Sequence, residues 1–202
     1  MITGPKYKIA RRLGAPIFEK TQTQKYALHL ERRGKKRGFS KMKTEFGLQL
    51  NEKQKARFIY GRSERQFSNY VKEALSKKSA NTSQTIFEFL ETRLDNVIYR
   101  LGLSPTRGGA RQMVSHGHIK VNGKRVTTPN RRMVMGDKVE IAERSKAKIL
   151  FESIDEKIKN MIVPSWIKFD SKSKTAEIQG MPVLVKSENM FDLNTVIEFY
   201  SR

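Results

Sequence analysis

The sequence predicts an α+β fold: a basic N-terminal arm and a helical domain, an inserted module of two helices plus a short β-hairpin or sheet, then a small mixed C-terminal segment. Three observations predict it. Apolar residues recur at helical spacing from residue 51 to residue 101, the period drops to two after Gly117, and Asn122-Gly123 divides the two alternating runs. The expected boundaries are 1–45 for the arm, 46–91 for the helical domain, 92–142 for the module and 143–202 for the remainder, part of which packs back on the helical domain.

Residues 1–45 show no sustained period and carry the run ERRGKKRG at 31–38, so they read as a solvated arm that orders on phosphates. Asn51, with Gln54 three residues on, is expected to cap the first helix, and Gly61 to end it. Ser63-Glu64-Arg65-Gln66 is a capping box for the next helix. Its apolar stripe is Phe67, Tyr70, Val71, Ala74 and Leu75. After the polar break SKKSANTS, residues 84–103 read as one long helix with Ile86, Phe87, Leu90, Leu94, Val97, Ile98 and Leu101 inward. Arg93, Asn96 and Arg100 share one polar strip of that helix, with Asp95 off it; Gly102 and Pro105 are stop signals.

Ser104 is expected to cap the following helix, with Pro105 in its first position. Ala110, Met113 and Val114 face inward; Arg107 and Arg111 face out, with Gln112 and Ser115 nearby. Gly108 and Gly109 each cost about 1 kcal/mol against alanine in a helix; beside two arginines they read either as letting the backbone approach a phosphate closely or as simply tolerated, with tolerance favoured. Asn122-Gly123 predicts a two-residue type I′ turn. It pairs Val121 with Lys124, Lys120 with Arg125 and Ile119 with Val126, so the other face carries His118, Lys120 and Arg125. Like charges opposite one another cost a few tenths of a kcal/mol, and a phosphate between Lys120 and Arg125 reverses the sign. Gly136-Asp137 then punctuates, and Lys138 to Ile141 reads as a returning strand.

Charge points to the partner. Lys and Arg total 41 against 20 acidic residues, a net +21, and +20 of it lies before residue 143. Such an excess implies a polyanion, of which nucleic acid is the commonest. The candidate contacts in the arm are Lys6, Lys8, Arg11, Arg12, Arg32, Arg33, Lys35, Lys36 and Arg37. In the helical domain they are Lys53, Lys55, Arg57, Tyr60, Arg62, Arg65, Gln66 and Asn69. In the module they are Arg93, Asn96, Arg100, Arg107, Arg111, Gln112, Ser115, His116, His118, Lys120, Asn122, Lys124, Arg125, Arg131 and Arg132.

Other classes are disfavoured. Without cysteine there is neither a disulfide framework nor a thiolate zinc site. No apolar run approaches the roughly 18 residues of a membrane span, which predicts a soluble chain with no membrane partner. His116 and His118 lack a third ligand, His29 is isolated, and RGGAR lacks the lysine of a phosphate-cradling loop. No catalytic residue, metal or cofactor is expected.

RLDNVIYRLGL, TRGGARQMVSHGHIKVNGKRV and GDKVEI together resemble the RNA-binding module named after small-subunit ribosomal protein four. GPKYKIARRLG, EFGLQLNEKQKARFIYGRSERQFSNYVKEA, PSWIKFD and VIEFYSR extend the resemblance to the whole family, in order along the chain. Tyr7 stands where some members place a zinc-binding cysteine, so this chain resembles the zinc-free branch. The resemblance implies a non-enzymatic, ribosome-bound constituent of the small subunit, cytoplasmic with an organellar ribosome left open, and not a homo-oligomer. It implies primary binding of small-subunit ribosomal RNA at a 5′-domain junction, nucleation of that domain's assembly, and an effect on translational accuracy through small-subunit ribosomal protein five. It also implies that basic residues between Arg32 and Lys43 face messenger RNA where it enters the subunit. The alternative class is a stand-alone RNA-binding module of stress or repair, which would lack the flanking helices.

Overall fold

The computed structural model describes residues 4–34, 43–77, 79–146, 148, 151, 163–170, 173–185 and 189–201. The chain divides into two compact units, Met1–Ile86 with Leu184–Arg202, and Phe87–Val183. In chain order the helices are α1 (Lys6–Leu13), α2 (Gln24–Gly34), α3 (Glu45–Ile59), α4 (Glu64–Ser76), α5 (Thr82–Glu91), α6 (Leu94–Arg100), α7 (Arg107–Ser115), α8 (Glu143–Lys146) and α9 (Leu193–Tyr200). The strands are β1 (Ile119–Val121), β2 (Lys124–Val126), β3 (Lys138–Ile141), β4 (Ile167–Asp170) and β5 (Thr175–Ile178).

The first unit is helical. Residues 6–34, expected as an arm without period, form α1, a 3-10 turn at Glu19–Thr21 and α2. What the linear pattern hides is a small core: Ala10, Leu13, Ile17, Phe18, Tyr26 and Phe58 are buried together, gathered from elements too short to show a period. The helix expected to be capped by Asn51 is capped seven residues earlier. Its cap is Thr44, whose hydroxyl accepts from the Gly47 amide at 3.2 Å. Ser63 caps α4 as expected, accepting from the Gln66 amide. Of the predicted α4 stripe, Phe67, Val71 and Ala74 are fully buried, Tyr70 is half-buried and Leu75 is exposed. α9 packs on α3 and α4, with Leu193 and Val196 buried. The terminal apolar residues therefore complete this unit's core.

The second unit is α+β. The long helix expected over 84–103 breaks at Thr92-Arg93, where Arg93 turns extended and bridges Arg132. The cause is the 129–133 loop: the Leu94 and Asp95 amides donate to the carbonyls of Arg131 and Pro129, capping α6 with tertiary partners. The predicted inward set of that segment is buried throughout. The hairpin takes the predicted register, with Asn122 and Gly123 at φ 51° and 76° as a type I′ turn requires. β3 returns antiparallel to β1. The sheet does not stop there: among the described residues it has five antiparallel strands in the order β2-β1-β3-β5-β4. Trp166 and Phe169 pack against its core and Ile178 lies within it, whereas Val183 is exposed and belongs to no strand.

Candidate nucleic-acid interface

α7 carries two of the candidate arginines, Arg107 and Arg111. Its cap is Thr106, whose hydroxyl accepts from the Gly109 amide at 3.0 Å; Ser104, the expected cap, instead donates to the Thr106 carbonyl. Ser104 lies two residues too early, whereas Thr106 has the extended backbone of a cap and its hydroxyl reaches the Gly109 amide. A Cβ on Gly109 would run into the Ser104 hydroxyl, so this glycine is required by packing, while Gly108 has room. Arg107 and Arg111 are half-buried on the outer face, and Gln112, Ser115 and His116 are exposed beyond them.

The polar strip expected from Arg93, Asn96 and Arg100 is not a surface strip. Arg93 is 1% exposed and makes a two-pronged ion pair with Asp95 at 3.1 Å, and Asn96 is 2% exposed. Glu91, also 1% exposed, organises the rest. Its carboxylate receives both prongs of Arg100 at 2.8 Å and the Asn96 amide at 2.9 Å. Asn96 in turn accepts from Arg107 Nε at 2.8 Å, and the Arg107 guanidinium lies 4.3 Å from the Tyr99 ring centroid. Buried charges persist only when paired and hydrogen-bonded. The α5–α6 break swings Arg93 and Asn96 inward, so these two candidates hold the scaffold, while Arg100 and Arg107 reach the rim from a buried anchor.

On the hairpin, Lys120 stands opposite Arg125, as predicted, and also opposite Glu140 on β3. Arg125 folds back to donate to the Gly117 carbonyl at 3.1 Å and the His116 carbonyl at 3.0 Å. The repulsion expected between Lys120 and Arg125 is thus partly offset by a strand the linear pattern could not place. Asn122 is exposed yet committed, donating to the buried Asp137 carboxylate at 2.7 Å and accepting from the Lys138 amide. Lys124 and Arg131 are exposed, and Arg132 covers the Phe89 ring at 3.9 Å.

In the helical unit the candidates separate in the same way. Lys6, Lys8, Arg12, Arg32, Arg65 and Asn69 are exposed, and Arg11 and Gln66 half-buried. Lys53, Tyr60 and Arg62 are buried and belong to the packing. Lys53 pairs with Glu64 at 2.9 Å and lies 4.4 Å from the Phe199 ring centroid; Arg57 adds a second contact to Glu64 at 3.3 Å. Arg62 donates to the Tyr60 carbonyl, Tyr60 meets Phe191 edge-on, and Lys55 is paired with Glu52. The side chain of Arg33 and the residues Lys35, Lys36 and Arg37 lie outside the described residues. Among the described residues no helix is long and apolar enough to cross a membrane, and no three His, Cys, Asp or Glu side chains gather as a metal site.

The family profile for the ribosomal protein S4/S9 N-terminal domain matches residues 1–91, and that for the S4 domain matches residues 92–139. The chain is 39% identical over 201 residues to small ribosomal subunit protein uS4 of Amoebophilus asiaticus, covering 98% of each chain. It is 38% identical over 206 residues to the protein of the same name from Aquifex aeolicus, covering 98% of this chain and 97% of that one. The chain belongs to the ribosomal protein S4 family.

Members of the ribosomal protein S4 family are structural and non-enzymatic. Tyr7 packs against Tyr26 at 5.0 Å and His29 at 5.7 Å between ring centroids, with Lys20 over its ring. Two sets of residues escaped the sequence reading. Glu91 looked like an ordinary helix-surface acid; its signal is an acid closing the apolar run IFEFLE. Arg144 and Lys148 sat in the near-neutral last third, yet the turn after β3 brings both to the cleft beside His118.

Proposed function

We propose that this chain is a structural constituent of the small ribosomal subunit that binds small-subunit ribosomal RNA directly at a 5′-domain junction and nucleates assembly there. The observation that carries the reading is the Glu91–Asn96–Arg107 chain, which fixes surface arginines of two helices at one rim from a single buried carboxylate. Fixed cations suit the regularly spaced phosphates of A-form RNA, whose base edges are hidden in a deep groove. The near-neutral final third suits protein contact, consistent with small-subunit ribosomal protein five as neighbour and with an influence on translational accuracy. The basic run between Arg32 and Lys43 suits messenger RNA entering the subunit. The test is chemical footprinting of the purified chain on naked small-subunit ribosomal RNA. Protection at one 5′-domain junction is expected, with affinity falling steeply as salt rises; diffuse protection with equal binding to heparin would overturn it.

A further inference from the structure

A cleft of about 450 Å³ opens in the second unit between the end of α7, the hairpin and α8. Its cations come from separate elements: Lys120 from β1, Arg125 from β2, Arg144 from α8 and Lys148 beyond it. The one carboxylate in the lining, Glu143, is held by Lys146 at 2.7 Å. Glu140 stands beside Lys120 in the sheet. The His118 ring sits within this ring of charge, with Nδ1 2.9 Å from the Ser145 hydroxyl, Phe151 edge-on at 5.9 Å and His116 at 6.0 Å between centroids. Ser145 is itself buried. With Nδ1 engaged, Nε2 is the nitrogen for an anion.

We propose that this cleft is a phosphate site coupled to a proton: an RNA phosphate held by Lys120, Arg144 and Lys148 is met by His118 as imidazolium, the proton being taken from solvent as the RNA binds. In the free chain the opposite holds. Burial first, then Lys148, His116 and Arg125, keep the His118 ring below its usual imidazole range, so it is neutral at pH 7. A phosphate reverses the largest electrostatic part of that penalty by neutralising the surrounding cations, and the ring then gains charge as it gains a partner. The chain has three histidines and no cysteine, so few other groups titrate in this range.

The proposal rests on the ribosomal RNA reading and is tested so that the two fail differently. Calorimetric titration of the full chain with a 5′-domain transcript, in two buffers of different ionisation enthalpy near pH 7, counts the protons exchanged. Uptake approaching one proton is expected, with affinity roughly 20- to 100-fold higher at about pH 6 than at about pH 8. In His118→Gln both effects should vanish while the circular dichroism spectrum is retained. Tight binding without proton uptake, or uptake unchanged in the variant, overturns this proposal alone; no saturable binding at either pH overturns the ribosomal RNA reading and this proposal with it. A measurement on the unaltered chain needs no variant. The His118 ring signals, followed by NMR across the same pH range, should titrate at higher pH when inorganic phosphate is added, while those of His29 keep their position. A His118 midpoint that phosphate leaves in place overturns the site.

Discussion

Glu64 in the helical unit and Glu91 in the sheet unit each gather two cations, with opposite consequences. Glu64 keeps 44% of its side chain exposed and receives Lys53, Arg57 and the Tyr200 hydroxyl, so its cations are consumed in tying α3, α4 and α9 together. Glu91 is buried and holds Arg100 directly and Arg107 through Asn96, so its cations are braced at the rim. In this pair the carboxylate near the surface turns its cations into packing, and buried Glu91 turns its cations into a presented surface. Counting basic residues does not separate the cases.

The largest expected effect comes from removing the buried anchor. Glu91→Ala leaves Arg100 without its carboxylate and takes one of two acceptors from the buried Asn96 amide, which keeps the carbonyl of residue 91, so unfolding free energy should fall by about 2–4 kcal/mol. Urea unfolding measures it. A loss below about 1 kcal/mol would mean that Glu91 is incidental and that the contrast with Glu64 fails.

Next is the difference between presented and consumed charge. Arg111→Gln with Lys124→Gln should weaken binding to a 5′-domain transcript by roughly 10- to 100-fold and lower the log–log salt slope by about 1.4–1.8. Folding stability should hardly move. Lys53→Gln should do the reverse, lowering the urea midpoint through the Glu64 pair while leaving the salt slope in place. Equal slopes for the two variants would erase the distinction.

Much of this was legible in the sequence because it is local. The Asn122-Gly123 turn, its register, the Ser63 cap and the inward face of residues 86–101 rest on rules spanning four residues or fewer, and the structure follows them. Where the sequence reading departs, a distant partner decided. The loop carbonyls of Pro129 and Arg131 break the helix at Thr92-Arg93, and that break buries Arg93 and Asn96. Phe58 completes a core for α1 and α2 that neither helix announces alone. At the site, Arg107, Arg111 and Lys124 are where the pattern puts them, whereas the neighbours that fix or neutralise charge, Glu91 and Glu140, are set by tertiary contact.

The α7 glycines sharpen the same lesson at one helix. Gly108→Ala should stabilise the chain by about 0.5–1 kcal/mol, since the added methyl has room and alanine favours the helix. Gly109→Ala should instead cost about 1–2 kcal/mol, because its methyl meets the hydroxyl of buried Ser104, which can move only by giving up its bond to the Thr106 carbonyl. Thermal midpoints moving in opposite directions are the expected result; two shifts of the same sign would return Gly109 to the tolerated class.

The smallest expected effect concerns pH. Burial would raise the Glu64 carboxyl, but the Tyr200 hydroxyl at 2.7 Å, then Lys53 and Arg57, outweigh it and hold it below its ordinary value. Tyr200 is pushed the other way, by burial and then by Glu64, and so stays a neutral donor across the working range. A carboxyl lower in the folded than in the unfolded chain contributes stability above its unfolded value, near pH 4.5, and that contribution is lost as pH falls through the folded value. Because nearly half of the Glu64 side chain is exposed, solvent screening limits it to below about 1 kcal/mol. Tyr200→Phe removes one donor to the charged form, so its thermal midpoint should sit a degree or two below that of the native chain at neutral pH, at about 2–4 °C per kcal/mol for this size. The gap should close as pH falls from neutral to below the folded value of Glu64, where the carboxyl is protonated in either chain. A gap of the same size at both pH values would mean that the hydroxyl serves packing alone, and that Glu64 gathers its partners without depending on its charge.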